Sequence, residues 1–147
     1  MAEVRTADVT WHGDLLTGGG TIDYVSSGVF SRMPVSWAAR TGPHNGKTSP
    51  EELLAAAHAS CFAMAFSGQL ARNGTPPQHL HVEAEVTFDK VGESWSVISS
   101  KLIVVGQVPG ISDADFDSLA DAAKDGCPIS RALNENVEIS VEPTLEH

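Results

Sequence analysis

SPEELLAAAHASCFAMAFS, from Ser49 to Ser67, is the stretch that decides how this 147-residue chain folds. Ser49 precedes Pro50 at the first helical position and Glu52 at the third. That is a capping-box arrangement, which satisfies backbone N–H groups left free at a helix start. From Leu53 to Phe66 nearly every residue is apolar or small. No polar face remains for water, so the helix has to be wrapped by other elements, and a central, buried helix is predicted. Arg72-Asn73-Gly74 and the prolines after Thr75 supply its stop.

Upstream, RTGPHNGKT (Arg40 to Thr48) is broken by Gly, Pro and Asn and reads as a loop that delivers Arg40 to the start of the helix. Before it, Val4–Trp11, Thr21–Val25 and Ser31–Ala39 are short runs rich in β-formers, the pattern of a meander. Downstream, Leu80, Val82, Ala84, Val86 and Phe88 alternate with polar residues, which predicts a strand with one buried face. A turn at Gly92 leads into Ser94–Val105 and makes a long hairpin. Ser112 then caps an amphipathic helix with Phe116, Leu119, Ala120 and Ala123 on one side, ended by Gly126. CPISRAL is a turn or short helix beginning at Cys127, and Val137–Val141 closes the chain as a strand. The sum is an α+β fold with antiparallel strands, a long buried central helix and a second amphipathic helix. One domain over residues 1–144 is expected; Leu145-Glu146-His147 resembles a vector-derived tail.

A helix apolar on all sides needs cover on all sides. One sheet and one shorter helix cover mainly one side, so the helix by itself predicts an obligate homodimer.

Composition narrows the function classes. A formal charge of −10 and a pI near 4.8 argue against a nucleic-acid surface, which is built from clustered Lys and Arg. The first residues lack a basic region followed by an apolar core, and no run of about 20 uninterrupted apolar residues is present, so a cytoplasmic protein without a membrane span is expected. In such a compartment two cysteines are reduced thiols, and any bond between them is transient and functional.

Cys61 lies well inside the long helix, beyond the first turn where the helix dipole could activate it, so a reactive Cys61 needs a separate cation. Cysteine in an apolar helix is also commonly an inert core residue. Cys127, between Gly126 and Pro128, sits at a rigid corner suited to presenting a thiol to a partner, or is a small buried residue. His58, three residues before Cys61, shares its helix face and could accept its proton; the ordinary alternative is a core histidine bonded to a carbonyl. Ideal helix geometry puts Glu52 on the opposite face from Cys61 and about 13 Å along the axis, so Glu52 serves the cap, Arg40 or the other subunit's site. No metal-ligand spacing and no phosphate or dinucleotide loop occurs, so neither metal nor cofactor is expected.

SPEELLAAAHASCFAMAFS and DGCPISRALNENVEI (Asp125 to Ile139) resemble the OsmC/Ohr family of organic hydroperoxide reductases, specifically its OsmC branch, and the element order is similar over essentially the whole chain. The resemblance implies an intertwined homodimer with both sites at the interface, a peroxidatic Cys61, a resolving Cys127, and an Arg paired with a Glu, matched here by Arg40 and Glu52. The match is less close around Arg40, with Arg32 as the alternative cation. It implies an organic hydroperoxide as substrate and a dithiol, such as a lipoylated protein, as reductant. Two other readings compete: a Cys-His hydrolase or acyl transferase using Cys61 and His58, and a non-catalytic module with structural thiols.

Overall fold

The computed structural model describes all 147 residues as two compact units, Met1–Leu53 and Leu54–His147, with the boundary inside the long helix.

The first unit is a three-stranded antiparallel meander: β1 (Ala7–His12), β2 (Gly19–Val25) and β3 (Ser31–Val35), in that order. The β1–β2 connection is fixed by Asp14, whose carboxylate accepts from the Leu16 and Thr17 amides and the Thr17 hydroxyl at 2.6–2.8 Å. It closes on Gly18, where a Cβ would stand 2.3 Å from two carbonyl oxygens, so only glycine fits. The third strand stops earlier than the sequence pattern suggests. Ser36 accepts a hydrogen bond from the Ala39 amide and starts a short helix, α1 (Trp37–Thr41). A side-chain cap outweighs the β propensity of its neighbours. Ile22 and Ala39 are the buried apolar residues of this unit, while Val9, Trp11, Tyr24 and Met33 are exposed.

Helix α2 (Pro50–Arg72) starts as the capping residues predict, with the Glu52 amide donating to Ser49 Oγ at 3.1 Å. The second unit contains the rest of α2, the hairpin β4 (His79–Val91) and β5 (Ser94–Gln107), helices α3 (Asp113–Gly126) and α4 (Pro128–Leu133), and β6 (Glu138–Leu145). Ser112 caps α3 by accepting from the Asp115 amide at 3.1 Å. Phe62, Phe66 and Leu70 of α2 are buried with Leu102 and Val104 of β5 and Phe116, Ala120 and Ala123 of α3. The Phe66 and Phe116 rings lie 5.0 Å apart. Gly106 lets α3 approach the sheet, since a Cβ there would meet the Phe116 ring at 2.8 Å.

Two expectations change. β6 runs parallel to β5, not antiparallel, because the chain passes through α3 and α4 before returning, and a crossover of a dozen or more residues permits the parallel return. The strand also continues past Val141: Leu145 pairs with Gly106 and packs against the core, and the Glu146 amide donates to the Gly106 carbonyl. The terminal residues are thus engaged with the sheet.

By length and composition α2 could cross a membrane. Instead its stripe of His58, Phe62, Phe66 and Leu70, spaced every four residues, is buried in the second unit. The other face is open in the single chain: Ala56 and Ser60 are exposed and Met64 is 71% exposed. The chain covers one side of α2, as its small inventory of elements predicts.

Candidate active site

In the first unit, α1 presents Arg40 from its last turn. Nη2 meets Glu51 Oε1 at 2.7 Å, and Nε meets Oε1 at 2.9 Å and Oε2 at 3.1 Å. The guanidinium also lies 5.8 Å from the centre of the Trp37 ring, one turn earlier on the same helix. Arg40 is therefore held in place by a carboxylate and a ring.

The carboxylate that pairs with Arg40 is Glu51, whereas the sequence pointed to Glu52. Glu52 is exposed and accepts from Thr48 Oγ1 at 2.9 Å, and Glu51 is 8% exposed. Successive helical residues point about 100° apart, so only one of the two can face α1. Nothing in the local pattern separates two adjacent glutamates in a first turn. Arg32, the alternative cation, is exposed on β3 with a left-handed φ of 54°.

In the second unit, α2 carries Cys61 partly buried, and the α3–α4 corner carries Cys127 fully buried; both thiols are reduced. The corner is set by the Cys127 backbone, whose N–H ends α3 on the Ala123 carbonyl and whose carbonyl accepts from the Arg131 amide to open α4. Pro128 at the first helical position fixes it further. The two sulfurs interact with each other. Cys127 makes no capping hydrogen bond in the strict sense, but the amides of Ser130 and Ile129 face its large, weakly accepting sulfur.

These surroundings divide the pair. Burial pushes the Cys61 thiol up, the Ile129 amide opposes it, and the hydrogen bond and charge of Cys127 push it up further. Burial also raises Cys127, yet the Ser130 amide, Cys61, the Ser130 hydroxyl and the Ile129 amide together hold it below the usual thiol value. Within this unit only the Ile129 amide favours a thiolate at Cys61, and burial outweighs it, so a fixed cation is required if that sulfur is to attack.

His58 is fully buried, and it does not serve Cys61 as a direct base. Nδ1 lies 2.6 Å from Ser100 Oγ and Nε2 lies 2.7 Å from Ser130 Oγ. Both ring nitrogens are occupied by hydroxyls, rather than by the carbonyl expected of a core histidine, and the Cys-His hydrolase reading loses its pair. Burial lowers the imidazole pKa. Ser100 and Ser130 escaped the sequence reading; the available signal was a buried histidine, which needs two polar partners.

The OsmC-like protein family matches residues 42–142 of this chain. The chain belongs to the OsmC family. Over 132 residues, 90% of this chain and 91% of the relative, it is 36% identical to peroxiredoxin OsmC of Escherichia coli (strain K12). It is 28% identical over 127 residues to an organic hydroperoxide resistance protein of Xanthomonas axonopodis pv. citri, covering 85% and 87% of the two chains. Among solved structures, an OsmC-like protein of unknown function from Vibrio cholerae superposes with a TM-score of 0.72 at 19% identity, covering 98% and 100% of the two chains. An organic hydroperoxide resistance protein OsmC from Legionella pneumophila gives 0.69 at 20% identity, over 95% and 96%. At these identities the structures establish the OsmC-like fold, in agreement with the two sequence motifs.

Proposed function

We propose that this OsmC-family chain is a cofactor-free cytoplasmic thiol peroxidase that reduces organic hydroperoxides to alcohols and so protects against oxidative stress. The observation that carries it is the facing pair of reduced thiols, Cys61 and Cys127, brought together from α2 and the α3–α4 corner. The names of its relatives, a peroxiredoxin and an organic hydroperoxide resistance protein, support the same reaction class.

In this reaction the Cys61 thiolate attacks the O–O bond and releases the alcohol, leaving Cys61 as a sulfenic acid. Cys127 condenses with it to give a disulfide and water, and a dithiol, such as a lipoylated protein, reduces the disulfide. Arg40, oriented by Glu51 and Trp37, is the fixed cation that a reactive thiolate of this kind needs. A homodimer with both sites at the subunit interface, as the resemblance to the family implies, completes this reading. The open face of α2 and the exposed side chains of the β1–β3 sheet supply apolar surface for such a dimer.

The test is to treat the reduced protein with one equivalent of cumene hydroperoxide. Cumyl alcohol should form stoichiometrically, and mass spectrometry should map a loss of two hydrogens to a Cys61–Cys127 bridge. Peroxide left unconsumed, or a bridge absent after consumption, would overturn the assignment.

A further inference from the structure

His58 stands at the centre of a buried polar chain that the peroxidase function does not by itself explain. Its ring links Ser100 on β5 to Ser130 on α4 at 2.6 and 2.7 Å, and all three side chains are buried. Ser130 stands in the first turn of α4, three residues after Cys127 at its N-cap, and its hydroxyl acts on the Cys127 thiol. A hydroxyl has one proton, so Ser130 cannot donate to the ring and to the sulfur together. Two ordered arrangements follow. With Cys127 as thiol, S–H points to Ser130 Oγ, and Ser130 donates to Nε2. With Cys127 as thiolate, Ser130 donates to the sulfur, and its oxygen accepts from Nε2–H.

We propose that His58, acting through the Ser130 hydroxyl, is the positioning residue and proton acceptor for Cys127, the resolving thiol, rather than for Cys61, its neighbour on α2.

The inference rests on the peroxidase function and assigns the second of its two chemical steps. Passing from one arrangement to the other breaks the Cys127 S–H bond and forms Nε2–H, with Ser130 exchanging its proton on the way. The Cys127 thiolate then attacks the Cys61 sulfur, the S–O bond of the sulfenic acid breaks, and the departing hydroxide becomes water with the proton that Cys127 gave up, which leaves the His58 ring neutral again. Atoms and electrons balance within the two cysteines, and no further oxidant is needed. Burial keeps the ring neutral at rest, so that it starts with an open acceptor nitrogen. Ser100 holds the ring from the other side.

A single-turnover experiment on the full chain separates the two steps. Reduced protein is mixed with one equivalent of cumene hydroperoxide. Peroxide loss gives the first rate constant, and disulfide formation, followed by rapid alkylation and mass spectrometry, gives the second. Ser130→Ala should slow the second relative to the first by roughly tenfold or more, with a sulfenic acid that dimedone traps, and Ser130→Thr should restore the ratio. Ser100→Ala removes a hydrogen bond of like burial from the same ring without touching Cys127, so it should move the ratio less. Equal effects of Ser100→Ala and Ser130→Ala, or an unchanged ratio in Ser130→Ala, would overturn the inference. Should Ser130→Ala fail to fold, His58→Gln carries the test: it retains a donor and an acceptor but cannot take up the proton, and an unchanged ratio there rejects the idea. Failure of the peroxidase function itself would look different, because the wild type would then consume no peroxide.

Discussion

Arg40 grips Glu51 through two nitrogens at 2.7 and 2.9 Å, while the next residue, Glu52, turns away to Thr48. The two carboxylates are chemically identical, so their variants isolate the effect of position. Glu51→Gln should slow the reaction with hydroperoxide by about tenfold or more, because a misplaced guanidinium loses the geometry on which a thiolate depends. Glu52→Gln, at an exposed site, should stay within about twofold. Stopped-flow measurement of peroxide consumption distinguishes them, and a larger loss in Glu52→Gln would reverse the assignment. In the same assay series Arg40→Ala should raise the Cys61 pKa, read from thiolate absorbance, since removal of a cation disfavours the charged form.

The two thiols should part company when each is replaced in turn. Cys61→Ser should lose peroxide reduction, because a serine hydroxyl is scarcely ionised near neutral pH. Cys127→Ser should consume one equivalent per site and then stop as a sulfenic acid that excess peroxide overoxidises. Normal turnover of Cys127→Ser with a dithiol, together with first oxidation at Cys127 in the wild type, would exchange the roles.

Met64, 71% exposed on the open face of α2, tests whether the chain dimerises. In a monomer Met64→Lys would be a surface change worth within about 0.5 kcal/mol. In a dimer that buries this face an unpaired charge costs several kcal/mol. Light scattering of the wild type should give about twice 15.5 kDa at low micromolar concentration, and Met64→Lys should lower the mass or the melting temperature. A wild type near 15.5 kDa rules out the dimer.

His58 should leave a signature in the pH dependence of stability. Burial depresses its folded-state pKa, so the unfolded chain binds a proton that the native state refuses. The contribution is fully present above the ordinary imidazole value of 6.5 and is lost as pH falls below it toward the folded value. Urea midpoints of the wild type should decline over that acid window more steeply than those of His58→Gln, which has no proton to take up. Parallel curves for the two proteins would show that His58 is not held neutral.

Local chemistry alone determined much of this molecule. Ser49 and Pro50 start α2, Ser112 and Gly126 bound α3, and the alternation from Leu80 to Phe88 makes β4, because caps and periodicity act over a few residues of neighbouring chain. The two cysteine motifs carry the family for the same reason: each is a short contiguous stretch. Tertiary structure decided what those stretches meet. Glu51 rather than Glu52 faces Arg40 because a 100° step along a helix separates two residues that no sequence pattern tells apart. β6 runs parallel because α3 and α4 intervene as a crossover. His58 sits between Ser100 and Ser130, partners 42 and 72 residues away that only the closed core brings to its ring. Pairings over such distances depend on how whole elements pack, and packing is a property of the assembled core rather than of any segment within it.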